Sequence, residues 1–223
     1  MGTGMLIRFG RLILVAGAMF ALLGAAHANP IIIYNTGVDL FGTSLPDGTI
    51  GDPHYALTSV PGGTSNIRIR TSAGGFPFPA YRISDSALST WVGPNNDASI
   101  DGFVGTYIYR TTFDLTGLNP ATASLTIGWS TDNNGLDVLL NGVSTGQTTD
   151  FVQFSLGFKT FTLNSGFVAG VNTLDFMVYN EAGPAALRTQ ISGTADGITP
   201  EPASLALLGT GLVALGLLRR RMF

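Results

Sequence analysis

Tyr107-Ile108-Tyr109-Arg110-Thr111-Thr112-Phe113-Asp114-Leu115 decides the fold. Tyr107, Tyr109, Thr111, Phe113 and Leu115 fall on one parity, and Ile108, Arg110, Thr112 and Asp114 on the other. A two-residue period puts these sets on opposite faces of a β-strand, one facing a core and one facing water. Asp114-Leu115-Thr116-Gly117-Leu118 supplies turn chemistry where that strand closes. The period recurs downstream. Leu125, Ile127 and Trp129 alternate with Thr126 and Gly128. Leu136, Val138 and Leu140 alternate with Asp137 and Leu139, and Asn141-Gly142 then precedes Val143-Ser144. Asn-Gly between apolar-patterned runs is the strongest short hairpin signal. Residues 151–154, 159–163, 172–179 and 187–191 continue the series, and Gly170-Val171-Asn172-Thr173 opens one of them. Upstream, 31–34, 55–57 and 66–70 read as shorter strands. Gly74-Gly75-Phe76-Pro77-Phe78-Pro79 is loop, because its prolines exclude a central strand. No helical period interrupts residues 29–198. Strands recurring about every 8–12 residues with turn residues between them predict an all-β, antiparallel β-sandwich. Phe113, Ile127, Val138 and Phe176 are expected on its inward faces.

The two ends of the 223-residue chain differ from this middle. Residues 1–28 form a signal peptide: Arg8 and Arg11, an apolar stretch at 12–25, and the A-x-A site Ala26-His27-Ala28. Cleavage after Ala28 starts the mature chain at Asn29, with the Sec translocon and signal peptidase as partners. Residues 29–198 make one exported domain. The sequence has no cysteine, so no disulfide framework holds it. Six basic side chains face thirteen acidic ones there, a balance of −7. That charge excludes a nucleic-acid binder.

Residues 199–223 read Thr199-Pro200-Glu201-Pro202, an apolar run at 203–218, then Arg219-Arg220-Arg221-Met222-Phe223. The prolines mark where a helix starts. Seven leucines and one valine favour membrane insertion by about 2.5 to 5 kcal/mol before Gly, Ser and Thr subtract. At ~1.5 Å per residue the run spans about 24 Å, short of a ~30 Å hydrocarbon core. A single, marginal transmembrane helix is expected, its arginines cytoplasmic and everything before Thr199 outside.

Candidate chemistry between the ends is sparse. His54 sits two residues after Asp52 in a Gly/Pro-rich loop, no G-x-S-x-G elbow occurs, and Glu181 is the one glutamate of the middle. No catalytic residue is assigned, no cofactor is required, and the protein is read as non-enzymatic. Asp132-Asn133-Asn134-Gly135-Leu136-Asp137 is the densest run of oxygen donors. Ca²⁺ wants several such oxygens on one tight loop, which makes Asp132, Asn134 and Asp137 its candidate ligands. The spacing is not that of an EF-hand, and a plain turn feeding the next strand is the preferred reading. Trp91, followed by Asn95, Asn96 and Asp97, is the candidate sugar platform, a flat apolar ring with polar company. Packing inside the protein is the preferred alternative for Trp91. Trp129, on an apolar strand face, is core.

Pro200-Glu201-Pro202, the apolar run and Arg219-Arg220-Arg221, in that order, resemble the PEP-CTERM sorting signal of Gram-negative bacteria. The resemblance implies an exosortase, a membrane-embedded cysteine protease-transpeptidase, as partner. It also implies transient anchoring in the inner membrane, delivery to the cell surface or extracellular matrix, and association with exopolysaccharide and biofilm. Tyr109-Arg110-Thr111-Thr112-Phe113-Asp114-Leu115, Asp137-Val138-Leu139-Leu140-Asn141-Gly142 and Gly170-Val171-Asn172-Thr173-Leu174-Asp175-Phe176 resemble the galactose-binding-like jelly roll over residues 105–193. That fold serves as the accessory sugar-binding domain of many glycosidases. It carries an alternative function, a glycan-binding module on extracellular polysaccharide, with or without calcium. The matching residues are strand and turn elements, so no ligand residue carries over.

Overall fold

The computed structural model describes residues 28–62, 66–71, 86–94, 102–198 and 203–220. The leader to residue 27, the 74–79 loop, Asn95, Asn96, Asp97, Pro200, Glu201, Pro202 and Arg221 lie outside the described residues. Ala28–Asp196 forms one compact unit, and the terminal helix belongs to another.

The unit is two antiparallel sheets. The first runs β3 (Arg68–Arg70), β4 (Trp91–Gly93), β11 (Ala186–Asp196), β6 (Ser124–Asp132), β9 (Lys159–Leu163), with β1 (Ala28–Pro30) also paired to β11. The second runs β2 (Tyr55–Ser59), β5 (Gly105–Asp114), β10 (Val171–Asn180), β7 (Asn134–Leu140), β8 (Val143–Ser144). From β5 onward the chain changes sheet at every connection except the β7–β8 hairpin. Each sheet is therefore completed by strands that the other interrupts.

β5 follows its alternation. Tyr107, Tyr109, Thr111 and Phe113 are at most 3% exposed, while Arg110, Thr112 and Asp114 face water. Opposite Arg110 on the outer face stands Asp175, whose carboxylate accepts two guanidinium hydrogen bonds at 2.6 and 2.7 Å. Leu174, Phe176 and Val178 of β10 and Val138 and Leu140 of β7 complete the inner face of this sheet. Leu125, Ile127 and Trp129 of β6 and Leu187 and Ile191 of β11 meet them from the other. Phe176 is wholly buried between Tyr55 and Trp129, with ring centroids 6.4 and 5.9 Å away. All four residues expected inward, Phe113, Ile127, Val138 and Phe176, belong to the core. The turn at Asn141-Gly142 has φ of +53° and +79°, the left-handed pair that a two-residue hairpin requires.

Three elements depart from the expected pattern. The 31–34 run is not a strand. The ladder uses Ala28–Pro30, and only Ile31 N extends it by donating to Gly193 O at 2.9 Å. Pro30 fits a short edge strand, which can spare an N–H. The 151–154 run becomes a turn and a one-turn helix, Gln153–Leu156, ended by Gly157 at φ +99°. Leu136, expected inward with Val138 and Leu140, is 42% exposed. The register between β7 and β10 shifts there: Asp137 faces Met177 and Gly135 faces Val178, which leaves Leu136 as the extra residue of a bulge. Gly135 passes under Trp129 so closely that a side chain would strike the indole ring and Thr149 Oγ1.

Candidate functional site

Trp91 is not a surface platform. It is wholly buried in β4, opposite Arg70 of β3. A three-residue strand between β3 and β11 leaves its one large side chain nowhere to go but into packing. Asp132 ends β6, is 4% exposed, and accepts from Asn133 Nδ2 at 2.7 Å. Asn134 and Asp137 lie on β7, in the opposite sheet, and Asp137 Oδ1 accepts from Val138 N at 2.8 Å. The sheet crossing thus divides the run of oxygen donors. Thr131 Oγ1 donates to Asn133 O at 2.7 Å and Glu181 N donates to Asn133 Oδ1 at 2.9 Å, bonds that make this segment a turn. Among the described residues no three His, Asp or Glu side chains converge. His54 lies flat on Tyr34, ring centroids 3.6 Å apart and planes 6° from parallel, with Nε2 2.9 Å from Asp39 O.

Among the described residues, two grooves on the sandwich stand out. The larger, about 630 Å³, runs between the 30–34 segment and the end of β5, past the Tyr34–His54 stack. Asp114 at its rim accepts from Thr116 N and Oγ1, both at 2.7 Å. Those bonds hold its carboxyl below the ordinary value.

The smaller groove, about 320 Å³, lies on the outer face of the first sheet. Ladder pairing sets Ser192 opposite Thr126, and both Gln190 and Thr160 opposite Gly128. Directly opposed residues share a face. Ile191, Ile127 and Phe161, one step along each strand, pack in or against the core, so this set points outward. Gly128 leaves the floor flat, and Phe158 lies against it: a Cβ there would touch the Phe158 Cβ and Cγ at 3.4 Å. Leu88 and Asn35 form the other wall. None of the nine described residues lining the groove is charged.

Both walls are fixed to the sheet by one side chain. Arg188 projects from β11 yet is wholly buried. Its Nε donates to Ser89 Oγ at 2.9 Å and its Nη2 to Ser89 O at 2.7 Å, which holds the 86–90 segment. Its guanidinium sits 5.8 Å from the centroid of Phe158, a cation–π contact. Gln190 Nε2 also donates to Ser89 Oγ, at 3.1 Å. Asn35 is committed to structure: Nδ2 donates to Leu88 O at 2.9 Å and Oδ1 accepts from Ile191 N at 2.7 Å. Sequence reasoning does not find this site. Its one visible trace is Thr126 and Gly128, the outward phase of β6.

The terminal helix spans Ala203–Arg220, where the sequence predicts one. Leu208, Leu212, Leu215 and Leu218 are exposed on it. Among the described residues no helix is long and apolar enough to cross a membrane. The last two residues of this one are arginines, which leaves a sixteen-residue apolar run, about 24 Å at ~1.5 Å per residue.

Residues 199–221 match the PEP-CTERM protein-sorting motif. The chain is thus an antiparallel β-sandwich protein that carries a protein-sorting motif at its C-terminus. No curated protein matches it. Among solved structures, it is similar to a cyclase from Fischerella sp. TAU, at 15% identity over 78% of this chain and 100% of that one, with a TM-score of 0.45. It is also similar to CBM35 from Paenibacillus barcinonensis, at 15% identity over 64% of this chain and 95% of that one, TM-score 0.35. A family 35 carbohydrate binding module from an environmental isolate shares 11% identity over 66% of this chain and 98% of that one, TM-score 0.30.

Proposed function

We propose that this is an exported, non-enzymatic protein of the cell surface or extracellular matrix, handed to an exosortase-type membrane transpeptidase by its tail. The match of residues 199–221 to the sorting motif carries this reading. The leader takes the chain through the Sec translocon, and signal peptidase frees it. The apolar run, too short for a comfortable span, suits a hold at the inner membrane that is cut rather than permanent. Association with exopolysaccharide and biofilm belongs to the same proposal. Intact-mass measurement of the protein from its native host should find residues 205–223 missing. Recovery of the complete C-terminus at steady state would reduce the tail to an ordinary anchor.

A second reading is a glycan-binding module acting on extracellular polysaccharide. The uncharged groove beside Phe158 favours it. Calcium assistance belongs to this reading, with Asp132, Asn134 and Asp137 as its candidate ligands, although the sheet crossing sets Asp132 apart from the other two. If calcium is involved, chelation lowers the melting temperature and weakens binding to the host exopolysaccharide. Equal melts with and without chelator remove calcium from the account.

A further inference from the structure

We propose that the groove on the outer face of the first sheet binds an uncharged mono- or disaccharide, with Phe158 as the stacking face and Thr126, Thr160, Ser192 and Gln190 as hydrogen-bond partners. This rests on the glycan-binding reading and gives it a site. A pyranose ring presents an apolar C–H face and a rim of hydroxyls, each both donor and acceptor. Its complement is a flat aromatic surface edged by neutral groups with the same double capacity, which hydroxyls and carboxamides supply. The groove has those components, with Leu88 and Ile191 as its aliphatic lining. Thr126, Thr160 and Ser192 are exposed across three neighbouring strands, and their hydroxyls have no partner among the described residues. Gln190 lines the groove and uses Nε2 on Ser89, which leaves its carbonyl oxygen as an acceptor.

The absence of charge among the described lining residues selects the ligand class. A carboxylate, phosphate or ammonium entering here loses hydration and meets no charged side chain among the described lining residues to offset the loss, the Arg188 guanidinium being engaged by Ser89 and Phe158. The domain's balance of −7 further opposes anions. A volume of about 320 Å³ stands at the small end of ligand pockets (~300–1,000 Å³), the size for a sugar rather than a larger cofactor. The walls need no ordering on binding, because Arg188 holds Ser89 on one side and lies against Phe158 on the other. Arg188 is a positioning residue: buried beneath the wall, it sets where the stacking ring stands.

The test uses the full-length protein in detergent micelles and saturation-transfer NMR. Cellobiose, maltose and lactose are the neutral probes at millimolar concentration, with galacturonate and glucosamine as charged controls. The expected result is transfer to ring C–H protons of at least one neutral disaccharide, at least ten-fold stronger than to either charged sugar. Two variants locate the site. Phe158→Ala removes the stacking face, and Gly128→Val fills the floor at a position where a Cβ meets only van der Waals contact. Each is expected to weaken binding at least ten-fold while keeping the wild-type far-UV spectrum, and if one fails to fold the other decides. Wild-type binding that both folded variants retain overturns the site and leaves the glycan-binding reading standing. Binding of none of the neutral sugars, or equal binding of the charged ones, overturns both. Neither outcome bears on the processing of the tail, which intact mass reads separately.

Discussion

Asp52 shows how far a single side chain can be pulled in two directions. Its carboxylate accepts from the N–H groups of Gly37, His54 and Tyr55 at 2.7, 2.8 and 3.1 Å, and those bonds favour the charged form. Burial acts against them and prevails, pushing the carboxyl above its ordinary 3.8. A raised value means that the folded state holds the proton more tightly than the unfolded chain. Asp52 therefore adds stability fully below pH 3.8, and that share is lost as pH rises through the folded value. Asp52→Asn should remove this dependence, so thermal melts at stepped pH above 3.8 should decline less steeply in the variant. Parallel slopes for the two proteins would show the carboxyl to be silent. The two tryptophans mark what can be read at this scale. Trp129 sits in a nine-residue strand whose alternation declares its face. Trp91 sits in a strand of three residues, too short to show a period, and its polar followers suggest a surface that β3 and β11 deny it.

Elements are joined here by a pair of asparagines as much as by ladders. Asn172 is wholly buried at the start of β10. Its Oδ1 accepts from Val168 N and Asn141 Nδ2, both at 2.9 Å, and its Nδ2 donates to Val168 O at 2.8 Å and Gly170 O at 2.9 Å. Asn141 Oδ1 in turn accepts from Thr173 N at 2.9 Å. One side-chain pair thus fastens the β7–β8 turn to the loop entering β10. Asn172→Ala strands several of these groups away from water and should cost about 2–3 kcal/mol in urea unfolding. A loss below half of that would mean that water reaches the freed groups. The turn itself is legible, since Asn-Gly between apolar-patterned runs favours the positive-φ pair of a two-residue hairpin. The bulge at Leu136 is not, because it arises from a register shift against β10, and one strand cannot record its partner's register. The groove is hidden for the same reason. Thr126, Thr160 and Ser192 come from three strands, and only the pairing of β6 with β9 and β11 makes them neighbours. The 151–154 run misleads differently: its apolar residues suit a strand, but it bridges to β9 over the face of the first sheet, where Ser130 Oγ donates to Gln153 O at 3.2 Å.

At the scale of the whole molecule, the sequence sets two targeting ends apart from a middle, and the sandwich occupies Ala28–Asp196. What composition does not show is how that middle begins and ends. Ala28 stands directly opposite Asp196, and the antiparallel pair runs inward from there through Asn29–Ala195 and Pro30–Thr194. The first and last strand residues are thus ladder partners at one edge of one sheet. Force applied between the two ends would load that ladder in the peeling direction. Antiparallel hydrogen bonds lie across the strands, so they would break singly, in sequence, instead of sharing the load in shear. Asn29 and Pro30, which cleavage after Ala28 leaves of β1, would come away first, at low tension, before the long pairings of β5 with β10 and β6 with β11 were loaded. Tension between the two ends would thus release a short length of chain while the sandwich stayed whole.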